Sequence, residues 1–161
     1  MSKGKSAAKP PPDRKLVTAN RRARHEYLIE DSVEAGLVLT GTEIKSIRAG
    51  RANLQDAYAR IENGEAWLYN MHIAPYEQGE KRAYDPLRPR KLLLHRGEIE
   101  RLVGKSAEKG LTLVPLRVYF THGLAKVELG LGRGKREYEK RDSIAAREHQ
   151  REIERAMSRR R

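Results

Sequence analysis

Apolar residues along this chain fall in short runs rich in β-branched and aromatic side chains, separated by turn-forming residues. Tyr27, Ile29 and the run from Val33 to Thr40 have the density of strands, with Gly36 interrupting the second as a bulge. Thr42 is placed to cap a short helix in which Ile44 and Ile47 share a face, and Gly50 ends it. Runs 58–62 and 65–73 flank Asn63-Gly64, the dipeptide that best tolerates the two positive φ angles of a type I′ hairpin. Residues 75–90 read as a polar loop and Lys91 to His95 as a short strand. Glu98 to Lys109 has Ile99, Leu102 and Val103 at helical core spacing, weakened by Gly104. Runs 111–120 and 124–131 predict a second hairpin about His122-Gly123.

About six strands with two to three flanking helices predict a mainly β fold, an antiparallel barrel resembling an OB-fold. Parallel winding does not fit, because most adjacent strands have no helical crossover between them. The division expected is a disordered N-terminal tail over 1–15, a barrel over 16–131 and a basic C-terminal tail over 132–161. From Ser143 onward the residues favour helix, but Arg147, Arg151 and Arg155 recur at i, i+4 and stack like charges on one face. Only Ile144, Ile153 and Met157 can pack, so this segment is expected to be unstructured alone and helical on an RNA.

Charge sharpens that division. The 161 residues carry a formal net charge of +12. Residues 1–24 hold 8 Lys and Arg against 1 acid, and residues 132–161 hold 11 against 6, so the 15 of each sign between them leave the body neutral. A neutral body with two basic arms points to a polyanionic partner, since Lys and Arg on phosphates release condensed counterions. The chain has no cysteine, which removes disulfides, thiolate nucleophiles and Cys-based zinc sites. No apolar run is long enough for a bilayer and no signal-peptide pattern opens the chain, so a cytoplasmic monomer that does not engage membranes is expected.

The stretch Gly130 to Lys135 (GLGRGK) invites a phosphate-loop reading. A Walker motif needs four residues between its glycine and the Gly-Lys pair, then Ser or Thr; here the spacing is short and Arg136 follows. The glycines instead read as a hinge releasing the arm from Lys135 onward. Histidines 25, 72, 95, 122 and 149 lack metal-ligand spacing, and no nucleophile, metal set or cofactor loop emerges, so neither an enzyme nor a cofactor is indicated. Three basic clusters stand in or beside the body: Arg21 to His25, Lys45 with Arg48, and Arg88 to Lys91. Tyr76, Tyr84 and Tyr138 can stack on unpaired bases, although packing is the plainer role for the two in the loop.

Several runs together resemble one family. They are Asn20 to Tyr27 (NRRARHEY), Glu34 to Gly36, Gly41 to Asn53 (GTEIKSIRAGRAN), Asp85 to His95 (DPLRPRKLLLH) and Lys109 to Pro115 (KGLTLVP). They are similar to SmpB, the bacterial family that binds tmRNA (SsrA RNA), over about residues 15–157. The resemblance implies a non-enzymatic adaptor of trans-translation. Its OB-like barrel holds the tRNA-like domain of tmRNA, delivery to the stalled 70S ribosome involves EF-Tu·GTP, and the tail becomes helical in the empty mRNA channel. By motif position, Asn20, Arg22, Arg24, His25, Glu34, Lys45, Arg48, Asn53, Lys91 and Leu93 are expected in or behind the tmRNA-facing surface. Gly134 would allow the exit turn, and Lys135, Tyr138, Glu139, Lys140, Arg141, Arg147, Arg151 and Arg155 would meet the decoding centre and channel. Two positions depart from the family pattern: Glu139 replaces a frequent Asp, and His149 stands where many members carry tryptophan.

Overall fold

Asn63 and Gly64 make the predicted turn with φ of 50° and 75°, joining β4 (Tyr58–Glu62) to β5 (Glu65–Tyr69). Glu62 then pairs with Glu65 and Tyr58 with Tyr69, whose rings stack with centroids 5.3 Å apart. The second predicted hairpin joins β8 (Thr112–Thr121) to β9 (Leu124–Gly134) through His122-Gly123. The computed structural model describes residues 14–76 and 84–159, apart from the side chains of Lys109, Glu137, Tyr138, Glu139, Ser143 and Arg159. Most of the expected N-terminal tail, part of the 75–90 loop and the Tyr138 and Glu139 side chains therefore lie outside the described residues.

With β1 (Lys15–Ala19), β2 (Tyr27–Leu37) and β7 (Arg90–Leu93), seven strands form one antiparallel sheet in the order β1-β8-β9-β2-β7-β5-β4, and β3 (Ala52–Asn53) pairs separately with β6 (His72–Ile73). The sheet curls until β4 packs against β8, giving the expected barrel. Alternation along β2 (Tyr27–Leu37) sends Val33, Ala35 and Leu37 inward, and β9 supplies Val127, Leu129 and Leu131. Helix α2 (Gly41–Arg48) and helix α3 (Arg96–Lys109) add Ile47 and Leu102 to the same core. Asp31 on β2 fixes α3 by ion pairs to Lys105 at 2.8 Å and Arg101 at 3.3 Å.

Nine strands are present among the described residues rather than about six. The pattern-based reading passes over β1 (Lys15–Ala19), which pairs with β8 about a hundred residues away, and α1 (Arg21–Glu26), whose six residues show no apolar stripe. Arg14 and Lys15 thus belong to the fold and not to the tail. Helix α2 is capped by Thr40 rather than Thr42: its hydroxyl accepts from the Glu43 N–H at 3.3 Å, and the Glu43 carboxylate accepts from the Thr40 N–H at 3.0 Å. The bulge in β2 lies between Ile29 and Asp31, not at Gly36. Gly36 serves close packing instead, for a Cβ there would stand 3.2 Å from that of Leu93.

The alternating glycines are not a hinge. Gly130 and Gly132 lie inside β9, where a Cβ on Gly130 would approach Leu116 Cδ1 to 2.9 Å and one on Gly132 would reach the Leu28 carbonyl oxygen at 2.6 Å. The strand pairs through to Gly134, opposite Tyr27, so the barrel ends at 134 and not 131. Gly134 has open space around it and no positive φ, so the exit turn does not require glycine. Gly132→Ala is expected to destabilise the fold by about 1–3 kcal/mol, the usual cost of overpacking, because backbone must move. Gly130→Ala should cost less, since the Leu116 side chain can give. Urea midpoints of the two variants test the order.

Candidate nucleic-acid interface

Helix α2 presents Lys45 and Arg48 outward while Ile47 is buried. Both cations rest on aromatic rings: Lys45 Nζ lies 5.4 Å from the Tyr76 ring centroid, and Arg48 Cζ lies 5.3 Å from that of Phe120. Beside Arg48 an open groove of about 440 Å³ runs between α2 and β1, lined by Lys15, Leu16, Arg48 and Phe120 among others.

Beneath this helix sits a charged cluster that sequence reading mistook for a surface patch. The Glu43 side chain is fully buried. It accepts from Arg90 Nε at 2.8 Å and Nη2 at 2.6 Å, and from Arg88 Nε at 3.2 Å. Arg90, on β7 (Arg90–Leu93), is equally buried and also donates to the Met71 and Pro86 carbonyls. Burial alone would raise the Glu43 pKa. The hydrogen bonds from Arg88, the Thr40 N–H and Arg90 outweigh it and hold the carboxyl below its ordinary value. Of the Arg88–Lys91 cluster, Arg90 is therefore sealed inside and cannot reach an RNA, while the partly exposed Arg88 is tied to Glu43 and the partly exposed Lys91 approaches Glu65 at 3.4 Å. Tyr84 donates to the Ile73 carbonyl at 2.9 Å, the packing role expected of it.

On the outer face of the sheet, Glu34 accepts from Arg14 Nη2 at 2.9 Å and from the Tyr119 hydroxyl. Burial, followed by the hydrogen bond and charge of Glu34, pushes the Tyr119 hydroxyl far above its ordinary range, so it remains a donor. Arg117 and Glu128 pair at 2.8 Å on β8 and β9. Leu93 stands exposed on β7 opposite Gly36.

The third cluster occupies α1 and the start of helix α4 (Glu137–Arg159). Asn20 is buried and wholly structural: its Oδ1 accepts from the Ala23 N–H at 3.1 Å, and its Nδ2 and N–H donate to the Pro115 and Leu116 carbonyls. This seats Ala23 on Val114 and Leu116, with Tyr27 and Ile29 around them. Arg22 pairs with Glu26 at 2.9 Å, and Arg24 points to solvent. Lys135 joins arm to barrel, its N–H on the Glu26 carbonyl at 2.7 Å and its Nζ on that of Arg24 at 3.0 Å. Arg147 Nη2 lies 3.3 Å from His25 Nδ1.

Residues 137–159 are helical here, whereas the sequence predicts a tail unstructured alone. Helix-favouring residue types and the anchorage on α1 account for its first half. Side chains 148–158, Arg151 and Arg155 included, are all exposed, so only local propensity supports the second. Asn53 is likewise self-occupied, accepting from the Gln55 N–H at 2.7 Å. The predicted residues thus divide into an α2 patch, an outer-face patch around Glu34 and Leu93, and an α1–α4 patch, with Asn20 as support.

Comparison with known proteins decides what such a surface belongs to. The family described as SmpB protein matches residues 17–159. The chain belongs to the SmpB family. Among its relatives, the SsrA-binding protein of Moorella thermoacetica is 65% identical over 144 residues, spanning 89% of this chain and 93% of that protein. The SsrA-binding protein of Desulforudis audaxviator is 64% identical over 142 residues, 88% and 93% of the two chains. A chain in the solved structure described as "tmRNA-SmpB: a journey to the center of the bacterial ribosome" shares 52% identity at a TM-score of 0.62, covering 79% of this chain and 93% of that one. This SmpB-family chain has no group of His, Asp and Glu among its described residues that could hold a metal, and none of its described helices is long and apolar enough to cross a membrane. Sequence reasoning missed Arg14 and Tyr119, which the pairings of β1 with β8, β8 with β9 and β9 with β2 together bring to Glu34, and Glu43 with Arg90. The Thr40 to Glu43 spacing of a capping box was the one legible signal among these.

Proposed function

We propose that this chain is an adaptor of trans-translation that binds the tRNA-like domain of tmRNA with its barrel and carries it to the stalled 70S ribosome, where the arm enters the decoding centre and empty mRNA channel. One observation carries the reading: identity of 65% to an SsrA-binding protein across 93% of that protein's length. The site geometry supports it. Lys45 and Arg48 are cations held over rings and directed outward, suited to phosphates and unpaired bases. Lys140, Arg141, Arg147, Arg151 and Arg155 lie along one helix whose far half has its side chains exposed, as an arm addressing a second RNA requires; Tyr138 would stack there and Glu139 sit beside it. The work is recognition and delivery in the cytoplasm, with EF-Tu·GTP as companion, and involves no catalytic step by this chain.

A barrel truncated after Arg136 keeps β9 intact and tests the division. In filter binding against a tRNA mixture, it should hold tmRNA within about threefold of the full chain's affinity at moderate ionic strength, since few of the arm's cations would be neutralising phosphates there. Loss of the complex, or easy displacement by tRNA, would put the affinity in the arm and reduce the chain to a general RNA binder.

A further inference from the structure

A carboxylate at the centre of a face that meets a polyanion requires a reason, and the contacts of Glu34 supply one. Its Oε2 is shared between Arg14 Nη2 at 2.9 Å and the Tyr119 hydroxyl, while Arg14 Cζ sits 4.7 Å above the centroid of the Tyr119 ring. The guanidinium is thus fixed in plane, with tyrosine beneath and carboxylate at one edge. Its Nε and Nη1 take no hydrogen-bond partner among the described residues, and the side chain remains 28% exposed. Two residues along the same face of β2, Gly36 pairs with Leu93, which is 56% exposed. Glu34, which holds the guanidinium, and the Gly36–Leu93 pair therefore lie on one face of β2, about 7 Å apart along the strand.

We infer that Arg14 is an RNA-contacting residue whose guanidinium plane, held by Tyr119 and Glu34, stacks on an unpaired base of tmRNA, with Glu34 its positioning residue. The inference rests on the proposed binding of tmRNA by this face. Bases splayed from RNA loops stack on arginine planes as readily as on aromatic rings. Holding the plane beforehand removes rotamer freedom that would otherwise be lost on binding. Glu34 neutralises one edge of the guanidinium, which turns the group from a phosphate clamp toward a stacking surface. A simple surface ion pair explains less: such pairs contribute about 0–1 kcal/mol and need no buried tyrosine hydroxyl on the same oxygen.

The test uses the full chain and a transcript of the tRNA-like domain, with affinity measured by filter binding and fold checked by urea midpoint. Arg14→Ala and Arg14→Lys should each weaken binding about tenfold, the scale of one lost base stack, with the lysine variant keeping the wild-type salt slope. Glu34→Gln should also weaken binding, yet add nothing in an Arg14→Ala background, because it acts through Arg14. Wild-type affinity for Arg14→Lys would overturn the stack, since charge alone would suffice. Losses that add in the double variant would overturn the positioning role and place the carboxylate directly on the RNA. A wild-type chain that does not hold the transcript against tRNA would remove the functional reading itself, and the inference with it.

Discussion

Glu43→Ala is expected to destabilise the barrel by about 3–5 kcal/mol, the scale of removing one partner from a buried ion pair. The reason is what remains. Arg90 is fully buried and loses its carboxylate, keeping only the Met71 and Pro86 carbonyls and the Tyr84 hydroxyl for a full positive charge. Arg88→Ala should cost far less, about 1 kcal/mol, because Arg88 is a third exposed and the carboxylate it leaves behind keeps Arg90 as its partner. The capping box on α2 is lost with Glu43 as well, a further contribution of about 1 kcal/mol that overlaps the first. Urea unfolding followed at constant slope measures both variants; a Glu43→Ala midpoint within error of wild type would show that the network is dispensable.

The same carboxyl gives a pH dependence. Its folded pKa is depressed below the ordinary value of 4.5. Its contribution to stability is therefore fully present above that value and is lost as pH falls from there through the folded pKa. Glu43→Gln should flatten this part of the acid limb while leaving other carboxylates, Asp31 among them, to titrate as before.

Changing Arg147, Arg151 and Arg155 together to Ala is expected to lower tagging on stalled ribosomes more than tenfold while leaving tmRNA affinity within about twofold. Arg151 and Arg155 are exposed, and three phosphate contacts made on the ribosome would each carry a share of the salt-dependent affinity. A loss of helix cannot be the cause, because replacing three like charges at i, i+4 by alanine should raise the helicity of α4. Circular dichroism at 222 nm checks that sign. Equal losses of tmRNA binding and tagging would defeat the assignment of barrel and arm to different RNAs.

Local chemistry made much of this molecule legible from its residues. Asn63-Gly64 dictates a turn wherever it stands, because few other dipeptides tolerate both its φ angles, and both hairpins followed from such pairs flanked by strand-forming runs. The basic arms and neutral body were also visible, since charge is a property of composition. The patch on α2 could be placed because Ile44 and Ile47 fix one side of the helix and leave Lys45 and Arg48 the other.

What sequence could not reveal depended on partners distant in the chain. Strand β1 is five residues of modest propensity and exists because β8 offers an edge to it. Arg90 reads as one of a run of cations until the fold closes around it and presents Glu43. The alternating glycines look like a hinge until β2 is laid against β9, when the Leu28 carbonyl leaves no room for a Cβ at 132. The sequence by itself determined the turns, the family motifs and the distribution of charge, because each is set within a few residues or by counting. Only the tertiary structure decided which cations face solvent and which are sealed inside, and which glycines bend the chain and which let it pack, because burial and close approach are properties of pairs that the chain must fold to bring together.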